Sequence, residues 1–297
     1  MLNIKSGLTF FVAILLIALF WSVSSQAVAE SLIPQSRPDS PRTYLGFDIN
    51  DYPGDAALPA LRQTFEFAGY WLNVPPGAKQ NNWTGKRAEF VKNYFGFLVL
   101  FNGRLERELT SPSHDTELAR MDAKSAIAAA RQEGFPANTI IFLDQEEGGR
   151  LLAPQMAYVL EWFDTVNSNG FRSGIYCSGM PAKEGKSTIV TANDIHERAG
   201  DREITFFVYN DKCPPAPGCA LIKPPPSPAA SGVSFATVWQ FAQSPRRSGF
   251  TKSCSATYNS DGNCYPTTDT AAPSSKQRAR IYLDLDSATS PDPSNGR

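Results

Sequence analysis

The segment from Ile140 to Glu147 reads Ile-Ile-Phe-Leu-Asp-Gln-Glu-Glu and changes from apolar to acidic with no turn residue between. A short apolar run without helical periodicity is typical of a buried parallel strand. Asp144 and Glu146 are two residues apart at its end, so a period of two directs both side chains to one face, roughly 6 to 7 Å apart. Buried acids at a strand end are costly unless they perform chemistry, and a protonated carboxyl beside an ionised one suits glycoside hydrolysis.

Four other apolar runs also end in acidic, aromatic or amide side chains, and these supply the remaining candidates: Asp48, Tyr176, Trp239 with Gln240, and Asp284 with Asp286. Each candidate has a structural alternative. The aspartates are common turn caps, and the aromatic residues are common in cores and at rims. Glu147 follows Glu146 directly and points to the opposite side of a continuing strand, so we expect it to cap a turn or to pair with Arg150 rather than to catalyse.

The strand pattern recurs eight times along the chain. The predicted strands are Tyr44–Ile49, Gly69–Val74, Gly96–Phe101, Thr139–Leu143, Arg172–Cys177, Ile204–Tyr209, Thr237–Phe241 and Ile281–Leu285. The predicted helices between them are Leu58–Phe67, Thr84–Tyr94, Thr116–Gln132, Pro154–Asn169 and Ala192–Ala199. Alternating strands and helices predict an α/β fold, a (β/α)8 barrel of the TIM type, in which catalytic groups lie at the carboxyl ends of the strands.

The barrel is expected to be irregular in its last third. Residues 214–228 are too rich in proline for the helix expected after the sixth strand, and residues 244–277 form a long polar insertion after the seventh. The five cysteines suggest two local disulfides in these regions, between Cys213 and Cys219 and between Cys254 and Cys264. Cys177 remains as a buried, inert thiol.

The two ends of the chain are predicted to lie outside the barrel. Lys5, an apolar run from Leu8 to Trp21 and the sequence Ala27-Val28-Ala29 predict a signal peptide over residues 1–29, with an uncleaved membrane anchor as the alternative. We expect a linker over residues 30–43, the barrel domain over residues 44–288 and a disordered tail over residues 289–297. The mature protein is therefore expected in the secreted, periplasmic or cell-envelope space, without stable membrane insertion.

The composition excludes several functions. The chain has 28 Lys and Arg against 29 Asp and Glu, a formal net charge of −1, which does not favour an electrostatic nucleic-acid binder. Two histidines rule out a multi-histidine metal site and make a Cys-His dyad a poor fit. We therefore predict no metal and no cofactor.

Five landmarks in order resemble a known family. They are Gly46-Phe47-Asp48, Asp144-Gln145-Glu146, Gly174-Ile175-Tyr176, Trp239-Gln240-Phe241 and Leu283-Asp284-Leu285-Asp286. They resemble the Chalaropsis-type lysozymes of glycoside hydrolase family 25, and still more the related secreted bacterial glycoside-hydrolase-like domain of unknown function. The resemblance spans nearly the whole mature chain and implies a barrel that cleaves or binds the glycan strands of peptidoglycan.

The resemblance also implies roles for individual residues. Glu146 is expected to be the general acid, with Asp144 as the stabilising carboxylate and Asp48 completing the acidic site. Tyr176, Trp239, Gln240 and Asp284 are expected to contact the sugar. Like charges around the strand end would raise the pKa of one acid, which suits Glu146, and the wide spacing of the pair favours acetamido participation or inversion over direct carboxylate attack.

One departure from the family affects the expected function. The sixth strand of the family leads to an active-site tryptophan, whereas Phe206-Phe207-Val208-Tyr209-Asn210-Asp211 contains none. Two functions from different classes therefore stay open: a secreted glycoside hydrolase acting on an acetamido-sugar polymer, and a non-catalytic glycan-binding or cell-envelope protein with the same groove. Other barrel hydrolases form a third alternative, among which a metal-dependent one fits least well.

Overall fold

Eight strands close into one barrel in the computed structural model, which describes residues 42–210, 224–243, 264–266 and 280–297. The barrel strands are β1 (Tyr44–Asp48), β2 (Phe67–Trp71), β3 (Gly96–Asn102), β4 (Ile140–Asp144), β5 (Arg172–Ser178), β8 (Thr205–Tyr209), β9 (Val238–Ala242) and β12 (Asp284–Ala288). Their order around the barrel is β1-β12-β9-β8-β5-β4-β3-β2. The predicted α/β barrel is confirmed.

Two small ribbons accompany the barrel. β6 (Pro181–Glu184) pairs with β7 (Ser187–Val190) as an antiparallel hairpin directly after β5, and β10 (Cys264–Pro266) pairs with β11 (Arg280–Tyr282). The described helices are α1 (Leu58–Arg62), α2 (Arg87–Lys92), α3 (Pro112–Glu133), α4 (Ala153–Asn167) and α5 (Thr191–Ala199). Within the described ranges, no helix has both the length and the apolarity needed to cross a membrane.

The first two helices are shorter than predicted. α1 stops at Arg62, and β2 begins at Phe67, so the chain forms a strand where the end of a helix was expected. Gly85 and Tyr94 have positive φ angles of 77° and 61°, which right-handed helix does not allow, and they confine α2 to the residues between them. The long helix α3 ends at Gly134 in the left-handed conformation, a common way to end a helix.

The direction of the last barrel strand differs from the predicted all-parallel arrangement. β12 runs antiparallel to both of its neighbours, β1 and β9. β9 finishes at the mouth of the barrel, and β12 starts there, with Leu285 opposite Ala242. An antiparallel strand that enters from the end where its predecessor finishes needs no crossover helix.

Glycines in the barrel wall make room for interior phenyl rings. A Cβ on Gly46 would lie 2.2 Å from the ring of Phe67 on the neighbouring strand, and a Cβ on Gly174 would lie 2.5 Å from the ring of Phe142. Both rings are fully buried, so they fill the barrel below its mouth as a packed core. The open space is thereby confined to the upper end, where the strands carry polar side chains.

The prediction of a disordered tail is wrong. Residues 289–297 pack against the amino-terminal ends of β3 and β4, at the end of the barrel opposite the mouth. Asp292 accepts a hydrogen bond from the backbone of Phe97, and Ser294, which is fully buried, accepts one from the backbone of Val99. The tail satisfies strand-end amides that the barrel leaves unpaired, and this ordering is not evident from its Pro- and Ser-rich composition.

Candidate active site

A pocket of about 240 Å³ opens at the carboxyl ends of the parallel strands. It is lined by Asp48, Asn50, Trp71, Pro76, Leu100, Asp144, Glu146, Tyr176, Phe207, Gln240, Gln243 and Asp284. The structure therefore brings together six of the seven residues predicted to form the site. Four carboxyls face the pocket, and its lining in the described part of the chain contains no lysine, arginine or histidine.

Asp48 lies at the end of β1, where the neighbouring strand has a glycine. A Cβ on Gly69 would lie 2.7 Å from the Cβ of Asp48, so only a residue without a side chain leaves space for this carboxyl. Asp48 is 5% exposed, and its Oδ2 accepts a hydrogen bond of 2.8 Å from Nε2 of Gln240. The carboxyl is thus held in one orientation at the bottom of the pocket.

Gln240 connects three of the site residues. Its Nε2 donates to Asp48 and, at 3.4 Å, to Oδ2 of Asp284, while its Oε1 accepts a hydrogen bond of 2.9 Å from the hydroxyl of Tyr176. Burial and the surrounding acids raise the pKa of Tyr176 well above its usual value, so this phenol remains a donor. The amide therefore fixes two carboxyls and one aromatic wall together.

Asp144 and Glu146 lie at the end of β4, as the sequence predicted, but in different environments. Asp144 is 4% exposed, whereas Glu146 is exposed at the pocket mouth. The backbone between them is fixed by hydrogen bonds from Gly103 N to the carbonyl of Asp144 and from Gln145 N to the carbonyl of Tyr176. The two acids thus face one pocket from a rigid support, one deep and one accessible.

Burial is the largest cause of the raised pKa values of the two deep acids, Asp48 and Asp144. It raises the pKa of Asp48 to about 8, helped by the negative charge of Asp284. Burial, Glu146 and Asp48 raise the pKa of Asp144 well above its usual value, and Oδ1 of Asp144 has no hydrogen-bond partner among the residues that the structure describes. The cluster therefore retains protons near neutral pH, as an acid catalyst requires.

The loop that follows Glu146 is anchored on both sides. Oε2 of Glu147 accepts hydrogen bonds from the backbone N–H of Glu106 and from Nε2 of Gln155, so it pairs with neither of the partners expected from the sequence. Arg150 instead binds Glu184 on the β6–β7 hairpin and Asp194 on α5. Glu147 and Arg150 thus act as supports for the loop and do not line the pocket.

The predicted sugar contact of Trp239 is not supported by its position. Its neighbour Gln240 points into the pocket, so the period of two turns Trp239 outward, where its Nε1 donates to the carbonyl of Asn210. The aromatic walls are Tyr176, Trp71 and Phe207. Trp71 was missed because the predicted second strand ended at Val74, whereas β2 ends at Trp71 and presents it at the mouth.

Some predictions lie outside what the structure describes. Residues 1–29, most of the linker and three of the paired cysteines, Cys213, Cys219 and Cys254, are outside the described residues, as is the side chain of Cys264. Cys177 is buried, and burial raises the pKa of its thiol, in agreement with an inert role. Among the residues that are described, no group of three or more His, Cys, Asp and Glu is arranged to hold a metal ion.

The middle of the chain matches a known family model. Residues 80–204 match the Rv2525c-like, glycoside hydrolase-like domain. This match contains β3 to β7 and four pocket residues, Leu100, Asp144, Glu146 and Tyr176. It confirms the resemblance to a glycoside-hydrolase-like domain. No curated protein matches the chain.

Several solved structures are similar to this chain at low sequence identity. The Tat-secreted protein Rv2525c of Mycobacterium tuberculosis is 12% identical, with 85% of this chain and 97% of that chain covered and a TM-score of 0.47. The spore cortex lytic enzyme SleM of Clostridium perfringens is 15% identical, with 86% and 70% covered and a TM-score of 0.49. A family 25 glycosyl hydrolase of Bacillus anthracis is 11% identical, with 82% and 88% covered and a TM-score of 0.43.

Proposed function

We propose that the protein is an exported glycoside hydrolase that cleaves glycosidic bonds of peptidoglycan or a related acetamido-sugar polymer. The observation that carries this proposal is the meeting of Asp144 and Glu146 with Asp48 and Asp284 in one pocket between aromatic walls. A sugar ring stacks its apolar face on aromatic side chains and hydrogen-bonds to acids and amides, so this lining suits it. The match to the glycoside hydrolase-like domain agrees with the proposal.

In this proposal Asp144 and Glu146 share one proton near neutral pH, because burial and the negative charge of Glu146 oppose the ionisation of Asp144. Glu146 lies at the accessible end of the pair and delivers this proton to the glycosidic oxygen as the bond to the anomeric carbon breaks. Both carboxyls are then ionised. They face the positive charge that develops on the sugar, which favours their ionised form and stabilises the transition state.

The new bond to the anomeric carbon is formed either by the oxygen of the sugar's own acetamido group or by water. In the first route Asp144 accepts the acetamido N–H, water then opens the cyclic intermediate, and the proton of that water returns to Glu146. In the second route water attacks directly and gives its proton to the ionised Asp144. Either route adds one water across each cleaved bond, and the new reducing end keeps its configuration in the first and inverts it in the second.

Export follows in this proposal from the signal peptide predicted over residues 1–29. Protein recovered from the cell envelope or the medium of an expressing bacterium is expected to begin at Glu30, directly after Ala29. Amino-terminal sequencing checks this. Recovery of the chain with its first residues intact in the membrane fraction would support the uncleaved anchor instead.

Digestion of purified peptidoglycan tests the proposed activity. We expect the mature protein to release soluble fragments with new reducing ends, each heavier by one water per bond cleaved, with heat-denatured protein as the control. Sedimentation with the same peptidoglycan measures binding in parallel. If the protein binds peptidoglycan but releases no fragments from it, and also cleaves no chitooligosaccharides, the hydrolase proposal is overturned in favour of the non-catalytic glycan-binding protein.

A further inference from the structure

Asp286 is a fifth carboxyl that lies below the pocket and is not part of its lining. It is fully buried, and neither of its side-chain oxygens meets a hydrogen-bond donor among the described residues. It sits two residues beyond Asp284 on β12 and opposite Gly46 on β1, a position without a side chain. The alternation in Leu283-Asp284-Leu285-Asp286 indicated that both acids share a face, but not that one of them lies deeper.

The pairing of β12 with both of its neighbours places Asp286 on the inner face of the barrel. The register between β12 and β9 shifts between Leu285 and Asp286, so that Asp286 lies opposite Gln240 and not opposite Phe241. Residues directly opposite each other in an antiparallel pair point to the same face, and Gln240 points into the barrel. The β1–β12 register is unbroken, so the extra residue of this bulge lies on β9. The bulge brings Gln240 opposite Asp286, which already faces inward by alternation with Asp284.

The partner of Asp286 is the carboxyl of Asp48. The two side chains are within hydrogen-bonding reach of each other, although a carboxylate cannot donate to a carboxylate. One of the two must therefore hold a proton. Asp48 already accepts an N–H from Gln240, which stabilises its ionised form, whereas Asp286 has no donor, so the proton belongs on Asp286.

We propose that Asp286 is a positioning residue, a protonated carboxylic acid that donates a hydrogen bond to Asp48 and holds the carboxyl group of Asp48, together with Gln240, toward the bound sugar. Asp48 then has two donors from below, one from β12 and one from β9. The role of Asp286 is exerted through Asp48, since Asp286 does not line the pocket.

The charges around the pair agree with this arrangement. Burial and the negative charges of Asp48 and Asp284 raise the pKa of Asp286 well above its usual value, and the contact with Asp48 raises it as well, which favours the proton on Asp286. Asp48 faces Asp284 on β12 and Glu146 beyond β4, whose charges raise its pKa, while the hydrogen bonds from Gln240 and Asp286 lower it. Loss of the donor at position 286 should therefore move the titration of Asp48 to higher pH.

Direct titration of Asp48 tests the proposal without any turnover. The carboxyl carbons of aspartates labelled with ¹³C are followed by NMR between pH 4 and pH 10, with Asp48→Asn used to assign the signal. Asp286→Asn keeps an amide donor of nearly the same shape, and we expect the Asp48 midpoint to stay within about half a pH unit of wild type. Asp286→Ala removes the donor and should raise the midpoint by about one pH unit.

Two outcomes contradict the proposal, and one of them needs only the conservative variant. If the titration midpoint of Asp48 falls by more than about one pH unit in Asp286→Asn, Asp286 is an anion in wild type, because the substitution has then removed a negative charge beside Asp48. An unchanged midpoint in Asp286→Ala would show that no hydrogen bond is lost. If Asp286→Ala does not fold, the Asn variant still decides between a protonated and a charged Asp286.

A kinetic measurement rests on the proposed function and is read separately. The rate of reducing-end release is measured as a function of pH. At neutral pH, Asp286→Ala should lose at least tenfold in rate, whereas Asp286→Asn should stay within about threefold of wild type. Only Asp286→Ala should shift a limb of the pH–rate profile. Equal losses of rate in the two variants, with both limbs of the pH–rate profile where they are in wild type, would indicate a purely structural role of Asp286. Absence of release by wild type would refute the hydrolase and leave the titration result standing.

Discussion

The residues of the site are unusual in combining deep burial with a lack of opposite charge. Asp48, Asp144 and Asp286 are almost completely buried, and the pKa of each is raised chiefly by that burial. Buried acids of this kind oppose folding once they ionise, because the unfolded chain solvates the charge better. Such a cost at one end of the barrel is typical of a functional site.

The stability of the protein should therefore fall as the pH rises. A carboxyl whose pKa is about 8 in the folded state and 3.8 in the unfolded state binds more protons when folded across that interval. Asp48 alone should lower the free energy of unfolding by up to about 1.4 kcal/mol for each pH unit between pH 5 and pH 8. Urea denaturation at a series of pH values measures the free energy of unfolding. For Asp48→Asn, the slope of this free energy against pH should be smaller by about this amount, and the variant should be more stable than wild type at pH 8.

Asp51→Asn is the matched control, because Asp51 lies three residues away and is exposed. It should keep the pH dependence of wild type. A wild-type slope in Asp48→Asn would mean that Asp48 ionises as easily in the folded protein as in the unfolded chain, and the site would then lack the retained proton.

At the residue scale the sequence was most informative where side chains alternate along a strand. The spacing of Asp144 and Glu146 predicted a shared pocket, and both line it. The same rule contradicts the joint choice of Trp239 and Gln240 as sugar contacts, since adjacent strand residues face opposite sides. The protonation of the acids was not predictable in detail, because it depends on burial and on neighbours that come from other strands.

At the scale of elements, the bounds of six of the eight barrel strands were predicted to within one residue. The bounds of β2 and β12 were each wrong by two or three residues, and the direction of β12 was not predicted. An apolar run reads the same whether its strand is parallel or antiparallel, so nothing in Ile281–Leu285 indicated that β12 runs against its neighbours. Its acids still reach the mouth because an antiparallel strand begins where a parallel one ends. For this reason Asp284 on β12 lies directly opposite Asp48 on β1.

The close contact of β2 with β1 makes a prediction about Gly69. A methyl group at this position would meet the Cβ of Asp48 at 2.7 Å and force the carboxyl out of its place below the pocket. We expect Gly69→Ala to lower reducing-end release at least tenfold and to cost about 1 to 3 kcal/mol of stability. Initial rates normalised to folded protein measure the first effect, and thermal denaturation measures the second.

Gly174→Ala is the control for this prediction. Its methyl group would meet the ring of Phe142 at 2.5 Å, a similar clash that lies inside the barrel and involves no acid. It should cost comparable stability but leave the rate per folded molecule closer to wild type. Equal losses of rate in the two variants would show that the position of Asp48 is not what Gly69 protects.

At the scale of the whole molecule, the chain closes the barrel with its own tail. Residues 289–297 lie at the end opposite the pocket, and their backbone and side chains bond to the first residues of β3 and β4. The guanidinium of Arg297 donates to the carbonyls of Tyr94 and Phe95. The stabilising contacts of the tail thus lie at one end of the barrel, and the proposed active site lies at the other.

Ser294 provides the test of the closing role of the tail. Ser294→Ala removes the acceptor for the amide of Val99 in a fully buried place, and an unpaired buried donor costs about 1 to 3 kcal/mol. Thermal denaturation should show a lower midpoint with unchanged activity at a temperature where both proteins are folded. Ser187→Ala on the exposed hairpin should change the stability by less than about 0.5 kcal/mol, and an equal effect at Ser294 would contradict the closing role.

The central claim is that Glu146 transfers a proton in a glycosidase, and a matched pair of adjacent variants tests it most directly. Release of reducing ends from purified peptidoglycan is measured for wild type, Glu146→Gln and Glu147→Gln. Glu146 lines the pocket, whereas Glu147 only anchors the loop through acceptor bonds that an amide oxygen can also make. We expect Glu146→Gln to lose about 10²- to 10⁴-fold in rate and Glu147→Gln to stay within about threefold of wild type. Equal activity of Glu146→Gln and wild type would contradict the claim.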